Sequence, residues 1–174
     1  MRTRSSREDG ARMSRPGEVF SVSMNYGSLP AFRLLNRSVF GRADPMFNGT
    51  YVWRDGYYRH GSFIPLDLRG SEARVRRFMV KRFPTSMTIP GVDEWAHEHD
   101  GRLAILSEGL DVAKAKRQLQ LEGPIIIPAS LALDHEHIEC VPVLDSDGSN
   151  RILGKRWFRG RHSSATGYLI VLND

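Results

Sequence analysis

Cysteine is nearly missing from this chain: Cys140 is the only one in 174 residues, which rules out an intramolecular disulfide and a four-cysteine zinc site. No window approaches the roughly 18 to 20 consecutive apolar residues of a membrane-spanning helix. The amino-terminal stretch is charged but has no apolar run behind it, so export would need a route other than a cleaved signal peptide. There is no phosphate-cradling P-loop, no G-x-G-x-x-G after a strand and no G-x-S-x-G elbow. Internal repeats are also lacking, and catalysis, if there is any, must draw on residues scattered along the chain.

What is present fits one globular unit. Hydrophobic residues make up 40% and charged residues 26%, ordinary globular usage far from that of a disordered chain. The length suits a single domain of roughly 100 to 200 residues. The net charge is +5, but Arg2, Arg4, Arg7, Arg12 and Arg15 all fall in the first stretch, where no hydrophobic period is found. Residues 1–17 therefore read as a flexible Arg-rich tail and 18–174 as the folded domain, whose own charge is close to balanced.

Val19 to Met24 alternates apolar and polar residues as a half-buried strand does, with a turn at Asn25 to Ser28 and a second extended segment from Pro30 to Leu35. Thr50-Tyr51-Val52-Trp53 and Tyr57-Tyr58-Arg59-His60, around Asp55-Gly56, predict a hairpin. Helices are predicted from Ser71 to Arg82, with Val75, Phe78, Met79 and Arg82 on one stripe, then from Val92 to His97 and from Asp111 to Leu121. Pro124 to Pro128 brackets a short apolar strand, Ile138 to Leu144 is the next, Asp145 to Gly148 is a loop, and Gly167 to Leu172 closes the chain. The expected class is α+β: short, mainly antiparallel strands in two small sheets, with two or three short helices.

Three polar groupings stand out. In Asp134-His135-Glu136-His137, an extended chain would put His135 and His137 on one face and Asp134 and Glu136 on the other. With His97-Glu98-His99-Asp100 this makes a start for a metal site, or an exposed polar edge. Lys155-Arg156-Trp157-Phe158-Arg159-Gly160-Arg161-His162 mixes bases and aromatics, which suits phosphate neutralisation and base stacking, or a basic loop anchored by its two aromatics. Cys140, in an apolar strand, reads as a small buried hydrophobe.

Taken in order, Ala31-Phe32-Arg33, Asp100-Gly101-Arg102-Leu103, a turn containing Gly109, the predicted helix to Leu121, Ile125 to Leu133, Asp134 to His137 and Ala165-Thr166-Gly167-Tyr168-Leu169-Ile170 resemble the NAD-dependent toxin family delivered by type VI secretion, whose domain is similar to ADP-ribosyltransferases. At the last strand Thr166-Gly167-Tyr168 stand where the better-known transferases carry Glu-x-Glu or Gln-x-Glu.

The resemblance implies an effector that uses NAD to modify a cytoplasmic macromolecule and is restrained by an immunity protein. Arg33 would grip a phosphate or ribose, Glu136 ahead of Asp134 would supply the carboxylate, and His135 or His137 would orient a ribose hydroxyl. Tyr57, Asp134, Thr166 and Tyr168 would complete the cofactor site, with no metal required. The alternative from another class is a non-enzymatic basic binding or structural protein, viral ones included, that holds nucleic acid or another polyanion through the tail and Lys155, Arg156, Arg159 and Arg161.

Overall fold

The alternating segment near the start forms β1 (Val19–Met24) and the apolar run that closes the chain forms β11 (Gly167–Leu172), as expected. The computed structural model describes residues 17–24, 26, 39–47, 51–59, 62–66 and 74–173. Between the end strands lie β2 (Arg42–Ala43), β3 (Arg54–Arg59), β4 (Ser62–Pro65), β5 (Arg74–Arg82), α1 (Ile89–Glu98), β6 (Gly101–Leu103), α2 (Leu106–Ala115), β7 (Ile125–Ile126), β8 (Ser130–Leu133), β9 (Glu139–Ser146) and β10 (Arg151–Trp157). The domain is α+β, dominated by strands.

One sheet replaces the two small ones expected: all eleven strands are hydrogen-bonded together, along the path β1-β5-β11-β7-β9-β8-β3-β4, with β10, β2 and β6 attached beside it. The physical reason is β7. This short strand pairs parallel to β11 and antiparallel to β9, and so joins what would otherwise be separate ladders. Pairing elsewhere is antiparallel except between β10 and β2.

Both faces of the sheet are buried because each carries a helix. Ile125 packs with Phe78, Leu169, Val171 and Leu144 under Leu106 and Leu110 of α2. Its neighbour Ile126 points the other way, with Tyr168, Ile170, Val141 and Val143, under Ile89, Val92 and Ala96 of α1. This explains why the Pro-bracketed run is apolar at every position.

Several expectations fail for identifiable reasons. The predicted helix ending at Arg82 is β5, and Ser71, its expected cap, lies outside the described residues. The Val75, Phe78, Met79 spacing also fits a strand whose faces are both used: Phe78 and Val80 enter one core while Met79 packs against the other. Ladders to β1 and β11 on both edges outweigh the helical propensity of its arginines and lysine.

Asp55-Gly56 lies inside β3, not at a hairpin turn, and β3 pairs with β4. Gly56 serves close approach instead: a Cβ there would stand 2.5 Å from both the Ile64 carbonyl and the Phe63 ring. Thr50 and His60 fall outside the described residues, as does the segment from Pro30 to Leu35.

Helix α1 starts at Ile89, with Thr88 as N-cap and Pro90 in its first turn, a position proline tolerates. Helix α2 begins at Leu106, five residues before Asp111, and Gly109 is inside it. It stops at Ala115, and Leu119–Glu122 is a 3-10 turn. Strand β9 runs on to Ser146, through part of the predicted loop, because β10 pairs with it along its length. The first three residues of the basic patch, Lys155 to Trp157, belong to β10, and the rest of the patch follows that strand.

Candidate functional site

The Asp134 to His137 stretch is not extended. It is the tight turn joining β8 to β9, closed by Asp134 N–H donating to Ile138 O and His137 N–H to Asp134 O, with His137 at φ 60°. The expected sharing of faces therefore does not occur. The Asp134 carboxylate is folded back into the turn, where it accepts from Glu136 N at 2.9 Å, Ile138 N at 3.0 Å and Lys155 Nζ at 3.1 Å. The Ile138 N–H above all, with Lys155 adding to it against the opposing effect of burial, brings its pKa down to about 2. Asp134 is a structural anion, satisfied within the fold.

Glu136 and His135 stand exposed at the tip of that turn, their side chains 3.8 Å apart. Thr166 is buried in the turn before β11, its hydroxyl 3.4 Å from that of Ser163. Tyr168 is a core residue between Phe83 and His162, its hydroxyl donating to Met87 O, and burial raises its pKa to about 12. Tyr57 is half-buried on β3. Among the described residues no hydrogen bond, ion pair or ring contact connects Glu136 with Tyr57, Thr166 or Tyr168, and Arg33 lies outside them.

The histidines do not converge either. His97 is exposed in the last turn of α1, and His99 follows that helix with its ring stacked on Trp95 at 4.0 Å. Among the described residues no group of three or more His, Cys, Asp or Glu side chains is arranged to hold a metal ion. Cys140 is fully buried, and burial raises its thiol to about 11, as suits a small core residue.

The structure does bring together two patches that are separate in sequence. The β8–β9 turn and the end of β10 border an open groove of about 580 Å³, lined by Leu133, His137, Ile138, Glu139, Trp157, Arg159 and Gly160. Trp157 is 63% exposed and Leu133 45%, so the groove presents apolar surface to solvent. Arg159 donates to Glu139 at 2.8 Å along the rim.

Strand alternation splits the basic patch of the sequence. Lys155 and Trp157 pair across to Pro142 and Cys140, while Arg156 pairs across to Val141 on the opposite face and reaches Asp145 at 3.2 Å. Phe158 is buried, its ring 4.6 Å from that of Tyr58. Arg161 bonds Ser86. Of the four bases, only Arg159 lines the groove.

No family model, curated protein or solved structure matches this chain. Among the described residues, no helix is long and apolar enough to cross a membrane.

A second polar grouping carried no signal in the sequence. Glu108, fully buried near the start of α2, accepts from Arg102 Nη1 at 2.9 Å and Nη2 at 2.5 Å, from Tyr26 Oη at 2.5 Å and from Ile105 N at 3.0 Å. Beside it Ser130 Oγ accepts from Leu106 N at 2.7 Å and donates to Asp55. These bonds satisfy amide groups that the helix start would otherwise leave open, so the cluster is a cap shared between four elements of the chain. Tyr26 and Glu108 are 82 positions apart in the chain, a separation that no local motif can reveal.

Proposed function

We propose that the protein is a binding protein for single-stranded nucleic acid, with one base held in the groove between the β8–β9 turn and the end of β10. The observation that carries this reading is Trp157: a mostly exposed indole on a rigid strand, at the edge of a concave surface that also presents a guanidinium. Base stacking on an aromatic ring contributes about 1–3 kcal/mol and tolerates any sequence. Arg159 supplies the phosphate contact. Its bond to Glu139 is an ion pair screened by solvent on the arginine side, so a phosphate can take Glu139's place at little cost. Leu133 and Ile138 give the base an apolar floor, and the Arg-rich tail adds sequence-independent attraction.

Fluorescence titration with a short single-stranded oligonucleotide tests the proposal. Quenching of the Trp157 emission is expected, and Trp157→Ala should weaken binding by about 1–3 kcal/mol. With one groove arginine engaged, Arg159→Gln should lower the slope of log affinity against log salt by about 0.7. Unchanged oligonucleotide affinity in both variants would overturn it. The same titration with NAD addresses the transferase suggested by the sequence resemblance, for which binding lost on Arg33→Ala is the expected sign.

A further inference from the structure

The second site lies at the opposite end of β10, where two buried polar atoms have no partner. Gln120, in the 3-10 turn after α2, is 1% exposed; its Nε2 donates to Asp145 O at 2.9 Å, but its Oε1 receives nothing. Nη1 of Arg151, the first residue of β10, is buried and donates to nothing. The two belong to one corner. Arg151 pairs across to Ser146, the residue next to the Asp145 that holds Gln120.

Arg117 approaches the same corner from the turn. Leu119 N bonds Lys116 O at 3.1 Å and Leu121 N bonds Gln118 O at 3.0 Å, a 3-10 geometry in which residues three apart eclipse, so Arg117 lies on the side of Gln120. Burial, and after it the charge of Arg117, depress the pKa of Arg151. Arg102, Arg156 and Arg159 each have a carboxylate, whereas among the described residues Arg117 and Arg151 have none. The hairpin carboxylates nearby are engaged elsewhere: Asp145 with Arg156, and Asp147 with the backbone of Ser149 and Asn150.

An unsatisfied acceptor and an unsatisfied donor at the same corner call for a group that both gives and takes a hydrogen bond, and a water meets that much. Two guanidinium groups without a counter-ion add a demand for negative charge. A phosphate that retains one proton meets all three requirements: its P–OH donates to Gln120 Oε1, and its anionic oxygens accept from Arg151 Nη1 and from Arg117. We infer that the corner between the 3-10 turn and the β9–β10 hairpin binds a singly protonated phosphate, either free or as a monoester. The site is separate from the Trp157 groove and does not depend on it.

The test is calorimetric titration at about pH 6, where a phosphate monoester is half in its singly protonated form. The probes are inorganic phosphate, adenosine 5′-monophosphate and, as an anion with no proton to give, sulfate. Phosphate should bind more tightly than sulfate. Arg117→Gln, at an exposed position that tolerates change, and Arg151→Gln should each weaken it about tenfold, the loss expected for one charge-assisted hydrogen bond. Gln120→Leu should erase the preference over sulfate, and Lys114→Gln, an exposed lysine on α2, should change nothing. Tighter binding of the nucleotide than of inorganic phosphate assigns the site to a monoester, and the reverse assigns it to the free ion. Equal affinity for phosphate and sulfate, no binding of either, or a loss with Lys114→Gln equal to that with Arg117→Gln would overturn the inference.

Discussion

Gly109 of α2 meets Ile127 so closely that a Cβ on the glycine would stand 2.2 Å from Ile127 Cδ1 and 2.6 Å from Cγ1. Glycine inside a helix normally costs about 1 kcal/mol against alanine, so by propensity alone Gly109→Ala should stabilise. The contact reverses the sign. Gly109→Ala is expected to destabilise by about 1–3 kcal/mol through overpacking, and Ile127→Val, by removing Cδ1, should recover part of that loss. Chemical denaturation midpoints of the three variants decide it.

Glu108 is expected to be the most sensitive polar position in the described fold. Glu108→Ala removes an acceptor from Arg102, Tyr26 and Ile105 and leaves a largely buried guanidinium without its counter-ion. Loss of one partner from such a pair typically destabilises by about 3–5 kcal/mol. The double variant Glu108→Ala with Arg102→Ala should be less destabilised than the sum of the two singles, as a double-mutant cycle would read directly.

His162 should make the fold sensitive to mild acid. Burial, then the charge of Arg156, lowers its pKa below the ordinary value of 6.5, and its Nε2 is buried without a partner. The native state thus binds fewer protons than the unfolded one. Its contribution is fully present above about pH 6.5 and declines as pH falls from there toward the depressed native pKa. His162→Leu should flatten the thermal stability profile over that window while leaving the shape of the profile at higher pH alone. An unchanged slope between about pH 6.5 and 5 in the variant would count against this account.

Asp134 acts at lower pH. Its native pKa of about 2 lies below the ordinary carboxylate value, so its stabilising effect is present above about pH 3.9 and is lost as pH falls toward the native value. Asp134→Asn keeps an oxygen for the turn amides but gives up the charge that holds Lys155. The variant should be less stable than the native protein at neutral pH, and the difference should narrow on acidification below about pH 4, as melting curves in a pH series would show.

Local pattern revealed β1, β7, β9, β11 and most of α1, where alternation, a proline-bracketed run, a continuous apolar stretch or the Pro90-Gly91 pair carries the signal in neighbouring residues. It failed at β5 because Val75, Phe78 and Met79 satisfy a helical and a two-faced strand pattern equally well, and only pairing with distant β1 and β11 decides between them. It failed at Gly56 because a glycine needed for the Phe63 ring is indistinguishable in sequence from one needed for a turn.

The site was half legible. Trp157 and Arg159 were visible as a basic and aromatic patch, and His137 as part of an acidic and imidazole cluster. That the two patches border one groove follows from the pairing of β8, β9 and β10. Leu133 and Ile138, apolar residues flanking a polar turn, were the signal left unused.

The bond from Lys155 to Asp134 fastens the β8–β9 turn to the neighbouring strand that ends in Trp157. The two sides of the groove are therefore coupled by a strut within the protein, and neither can swing away without breaking it. A ligand meets a shape already made, so capture should depend on how often it arrives in the right orientation, with little waiting for the receptor to rearrange.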